Sequence, residues 1–248
     1  MLKVVVFDSG YGGDIVADYL SHELGIVEVV RVTEANLSLE DGSLLEICRF
    51  SKACLRTYIG KVDLIVLGGY VVSLALEFLK REYPQQKFVS VGINYYRILN
   101  SRAFPDQIAI MADKVLFESL VRKEVCRELP YSTIIFPDCS GWDYLINEGQ
   151  MSAEVLRLDL GPYFALHSGR KNAPSPPPPD YQPTASPVRA ELFKPDVILL
   201  LNTHFWSIRS ELEELFGYRV RVLDFRQKLL HDTCRALELR GVHGDRSK

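Results

Sequence analysis

Apolar residues in this chain follow two rhythms in turn. Short, mainly apolar blocks cover residues 4–7, 26–32, 62–67 and 88–93. Blocks this short, rich in Val and Ile, have strand composition. Between them, residues 14–20, 43–60 and 71–82 place apolar side chains three and four apart, which is helical spacing. The order strand, helix, strand, helix, strand predicts a parallel sheet covered by helices. The rhythm restarts further along. Strands are predicted at 107–111, 132–136, 197–201 and 219–223. Helices are predicted at 114–128, 208–216 and 225–239, with a short one around 144–148. Another spans 152–166, interrupted by Gly161-Pro162. Residues 34–42 read as a polar loop and 241–248 as a frayed tail. The fold class is α/β.

Composition changes this picture in one place. Residues 172–188 hold four consecutive prolines at 176–179 and further ones at 174, 183 and 187, out of 13 in the chain. Such a run favours polyproline II or disorder and cannot build a packed element. It reads as an exposed insertion, with a proline-recognition ligand as the other reading. The 248 residues and the net charge of -3 fit an ordinary globular protein, and no basic patch points to nucleic acid. No apolar run is long enough to span a membrane and no signal peptide is evident. The 5 cysteines are scattered without a C-x-x-C pair. They read as free thiols in a reducing, cytoplasmic setting, with no metal site.

Candidate chemistry gathers where apolar strands end. The first block runs into Asp8-Ser9-Gly10-Tyr11-Gly12-Gly13, the third into Gly68-Gly69-Tyr70, and the block at 197–201 into Asn202-Thr203-His204. Ligands of open α/β sheets bind at such carboxyl ends. The glycine spacing is neither the dinucleotide fingerprint nor a P-loop. Structural readings stand beside the functional ones. Asp8 either caps and braces the glycine turn or transfers a proton. His204 either bonds a carboxylate as a structural histidine or acts as acid and base. Cys139 is a buried thiol or approaches the site, and Tyr70, Phe205, Trp206 and Tyr95-Tyr96 pack or line a cleft.

Val-Phe-Asp-Ser-Gly-x-Gly-Gly at residues 6–13, with Thr203-His204 after a late strand, resembles glutamate racemases of the aspartate/glutamate racemase family. The resemblance implies two similar Rossmann-like α/β domains with mainly parallel sheets and a cleft between them. The first would comprise 1–93 plus 205–248, and the second 94–204 with the proline-rich insertion. It also implies proton-transfer roles for Asp8 and His204, and ligand contacts from Ser9, Gly69, Tyr70 and Thr203. No cofactor is implied. The family inverts the α-carbon with two thiols, one on each face. In this chain Gly68 and Asn202 stand at the expected cysteine positions. Glycine has no side chain to exchange a proton, and an amide is no base near neutral pH. Glu148 is a candidate for the family's acid. The resemblance therefore implies either a protein without two-thiol racemization, retaining a small amino-acid or dicarboxylate ligand or a regulatory role, or an active divergent racemase supplying D-glutamate for peptidoglycan. Partner expectations are a second copy of this chain or a regulatory protein partner; some family members inhibit DNA gyrase.

Overall fold

The structure, a computed structural model, describes residues 2–10, 12–25, 27–33, 43–91, 106–112, 129, 132–164, 193–217 and 219–239. The chain divides into two compact units, Met1–Ile93 with Phe225–Lys248, and Asn94–Asp224.

In the first unit β1 (Leu2–Asp8), β2 (Val27–Thr33), β3 (Leu64–Leu67) and β4 (Phe88–Ser90) form a parallel sheet in the order β2-β1-β3-β4. Both faces of β1 and β3 are covered, which is why their sequences are continuous apolar runs rather than alternating ones. Val5, Phe7, Ile65 and Leu67 pack with Ile47, Leu55 and Leu79 on one face. These come from α2 (Leu44–Leu55) and α4 (Leu76–Glu82). α1 (Gly12–Leu24) lies along β1 and β2. Ser43 starts α2 by accepting the Glu46 N–H at 3.3 Å. The single helix expected over 71–82 is two, α3 (Tyr70–Ser73) and α4. Between them Leu74 and Ala75 bond back three residues, to Val71 and Val72 at 3.1 Å, which tightens the turn and breaks the helix. At the amino ends of the strands a hollow of about 300 Å³ is lined by Leu2, Gly60, Val62, Gln86, Lys87 and Leu237. The Gln86 amide accepts from Gly60 N (3.0 Å) and donates to Val62 O (3.2 Å), pinning the loop before β3.

The second unit repeats the plan. Its β5 (Gln107–Met111), β6 (Thr133–Ile135), β7 (Val197–Leu200) and β8 (Arg221–Leu223) are parallel in the order β6-β5-β7-β8. α5 (Trp142–Asn147), α6 (Ala153–Leu160) and α7 (Arg209–Phe216) accompany it. Its core joins Met111, Ile198 and Leu200 of the sheet to Trp142, Leu156, Leu160, Phe164 and Leu212. The helix expected to reach residue 166 stops at Leu160, because Gly161 is followed by proline.

The expected return to the first unit at residue 205 is displaced to Phe225. Residues 205–224 stay with the second sheet because β8 bonds to β7 and because Phe205, Leu212, Leu215 and Phe216 fill its core. Asp224, its side chain 2 % exposed, accepts from Arg209 Nη1 at 2.8 Å at the crossing. Among the described residues after Asp224, α8 (Arg226–Ala236) goes back, packing on β4, β3 and α1. No described helix is long and apolar enough to cross a membrane. The loop at 34–42, Tyr95-Tyr96, the helix at 114–128, Cys126, the proline-rich segment and the tail lie outside the described residues.

Candidate functional site

Each unit has its own cluster at the carboxyl end of its central strands. In the first, Asp8 is the last residue of β1 and is 5 % exposed. Its Oδ1 accepts the Ser9 N–H at 2.7 Å. Two glycines box it in. A Cβ on Gly13 would sit 2.6 Å from Asp8 Cβ. A Cβ on Gly69 would land on Asp8 Oδ1 and lie 2.6 Å from its Cγ. Gly68 is packed differently: its Cβ would meet Val6 Cγ1 at 2.8 Å, away from Asp8. Beyond them Tyr70 is buried and Ser73 Oγ donates to Gly69 O at 2.7 Å. β1, β3 and the start of α1 thus bring Asp8, Ser9, Gly13 and Gly69 together.

In the second unit β7 ends at Leu200, and Asn202 precedes a 3-10 turn, Thr203–Trp206, where a longer helix would otherwise begin. Thr203 and His204 are buried, at 4 % and 8 % exposure. His204 Nδ1 stands 3.6 Å from Asp143 Oδ1, an electrostatic contact rather than a hydrogen bond. Asp143 is held there by its neighbour. Trp142 is fully buried, donates its indole N–H to Asp159 Oδ2 at 2.8 Å, and meets the Phe205 ring edge-on at 5.3 Å. Sequence reading passed over Asp143 and proposed Glu148, which lies exposed at the end of α5. The available signal was the Gly141-Trp142-Asp143 helix start, with Gly141 at φ 82.

Cys139 is the described thiol of the second unit. It is buried, 3.5 Å from Pro137 O and 3.8 Å from Met111 Sδ. Burial pushes its pKa well up; Asp138, Asp159 and Asp143 add to that, and a backbone hydrogen bond at Ala112 opposes it. A thiol held neutral is a poor nucleophile and a poor base. Its buried state matches the structural reading of this residue.

The two sheets share a register at these ends. Phe7 pairs with Leu67, and Gly68 N bonds Phe7 O at 2.8 Å. Met111 pairs with Leu200, and Leu201 N bonds Met111 O at 2.9 Å. Asp8 therefore corresponds to Ala112, Gly68 to Leu201, and Gly69 to Asn202. By this register Gly69 is the internal equivalent of Asn202.

No family model and no curated protein sequence matches the chain. Solved structures do match. Glutamate racemase from Escherichia coli, solved with L-glutamate and the activator UDP-MurNAc-ala, superimposes with a TM-score of 0.70 at 20% identity, over 96% of this chain and 83% of that one. Glutamate racemase from Campylobacter jejuni subsp. jejuni gives 0.68 at 19% identity, over 96% and 86%. Aspartate racemase from Picrophilus torridus gives 0.56 at 13% identity, over 96% and 95%. At these identities the likeness establishes the fold: this chain has the α/β architecture of the glutamate and aspartate racemases.

Proposed function

We propose that this chain is a racemase-like protein that does not carry out two-thiol racemization and keeps either a small carboxylate ligand or a regulatory role. The observation carrying this reading is that Gly68 and Asn202 stand at the expected cysteine positions, and neither exchanges a proton. Gly69, beside Gly68, is likewise bare, and Cys139 is buried with a raised pKa. Asp8, Ser9, Gly69 and Tyr70 at the first unit's strand ends, and Thr203 and His204 at the second's, are the groups we assign to ligand contacts.

A second reading is favoured by one observation, the His204–Asp143 contact at 3.6 Å. A carboxylate beside an imidazole stabilises its charged form, as acid–base work requires. On that reading the chain is a divergent amino-acid racemase or isomerase supplying D-glutamate for peptidoglycan, with Asp8 and His204 moving the proton. Solvent deuterium exchange at the α-carbon of D- and L-glutamate and of D- and L-aspartate separates the two. The first reading expects none. Steady exchange that Asp8→Ala or His204→Ala abolishes establishes the second instead. A thermal shift with millimolar D- or L-glutamate reads retained binding; no shift favours the regulatory role.

A further inference from the structure

We infer that Gly69 and Gly13 are positioning residues that let the Asp8 carboxylate occupy the place a side chain at position 69 would take. The inference rests on the reading above that these strand ends are the ligand site. It gives the first unit a carboxylate where the second presents the Asn202 amide.

Three observations converge on it. The clash at Gly69 is with the carboxylate itself, with Oδ1, Cγ (2.6 Å) and Oδ2 (3.0 Å) all inside contact distance of an added Cβ. Asp8 is closed in from the other side, because a Cβ on Gly13 would lie 2.6 Å from Asp8 Cβ. The Ser9 N–H holds Oδ1 in this pose at 2.7 Å. The second unit shows the reverse pairing at the corresponding positions. There the strand-end residue is the small Ala112, and the residue before the turn is the larger Asn202. In each unit one member of the pair is small and the other carries the polar group. A thiol at position 69 therefore competes with Asp8 for the same volume, and thiol chemistry there calls for changes at both positions.

The test is a set of variants of the full chain, measured without ligand. Gly10→Ala is the control, since an added Cβ there meets nothing within 4 Å; its melting temperature should match the parent's. Gly69→Ala should lower it by roughly 5 °C or more. Asp8→Ala/Gly69→Ala should melt no lower than Asp8→Ala alone, because removing the carboxylate vacates the contested space. A second readout follows a reporter thiol. At pH 8 the thiol of Asp8→Ala/Gly69→Cys should react with a disulfide reagent about tenfold faster than that of Gly69→Cys, whose neighbouring carboxylate raises its pKa. Its rate-against-pH curve should shift to lower pH. If Gly69→Ala melts like the parent, if the two losses simply add, or if both thiols react alike, the inference is overturned. If Gly69→Ala does not fold, the comparison of Asp8→Ala/Gly69→Ala with Asp8→Ala still decides it. Because no ligand is present, failure here is distinct from failure of the racemization and binding measurements.

Discussion

The two units have one plan and opposite fillings. Both put the first strand between the second and third, and both end that pairing with a backbone bond from the third strand to the first, 2.8 Å in one and 2.9 Å in the other. Beyond that bond they diverge. The first unit spends its side-chain volume on Asp8 and strips position 69 bare. The second keeps Ala112 small and stocks the following turn with Asn202, Thr203 and His204. A shared backbone thus sets where polar groups can go, and local volume decides which strand supplies them.

The sharpest way to break this comparison is in the second unit's anchor, which has no counterpart described in the first. Trp142→Ala removes a fully buried ring and withdraws the indole N–H from the Asp159 carboxylate, which is itself 1 % exposed. Equilibrium denaturation should show a loss of about 3–5 kcal/mol. Transplanting the first unit's arrangement is the next test. Ala112→Asp should cost about 2–3 kcal/mol by burying a carboxylate against Asn202. Adding Asn202→Gly should recover part of it; a further fall would show that the register equivalence does not extend to side chains.

Alkaline stability separates the units again. Folded Cys139 keeps its proton to a higher pH than the unfolded thiol, whose ordinary value is 9.0. The native state therefore binds more protons above that pH. The stability this thiol contributes is intact below about pH 9 and is lost as pH rises toward the folded value. Cys48 and Cys234 in the first unit are raised as well, by burial. Cys139→Ala should flatten the alkaline limb of a melting-temperature profile more than Cys48→Ala does. Smaller effects should be alike in both units. Ser43→Ala and Ser152→Ala each remove one side-chain cap, at 3.3 Å from Glu46 N and Val155 N, and should each cost about 1 kcal/mol. Arg31→Ala, on a half-exposed pair with Asp18, should cost under about 1 kcal/mol by the same denaturation measurement.

Much of the architecture was legible because buried parallel strands write themselves as continuous apolar runs. Residues 107–111 are predicted and found without change. Helix ends were harder. The break between α3 and α4 depends on three-residue backbone bonds that no breaker residue announces. The crossing at 224 was hidden because the pairing of β8 with β7, which holds 205–224 in the second unit, leaves no mark in the local pattern. At the site, Asp8 was visible from its glycines. Asp143 was not, because its proximity to His204 is set by the burial of Trp142, a contact between segments far apart in sequence.

The late return of α8 bears on how the chain is made. Lys87 Nζ reaches Ala236 O at 2.8 Å and Glu238 at 3.1 Å, so β4 gains its outer cover from the last described helix. During synthesis the second unit has its own strands and core in hand before that helix leaves the ribosome, whereas the first must wait with one flank of its sheet wet. The segment translated before the second unit is then finished after it. A released chain ending at Asp224 should hold a protease-resistant second unit and a cleavable amino-terminal sheet.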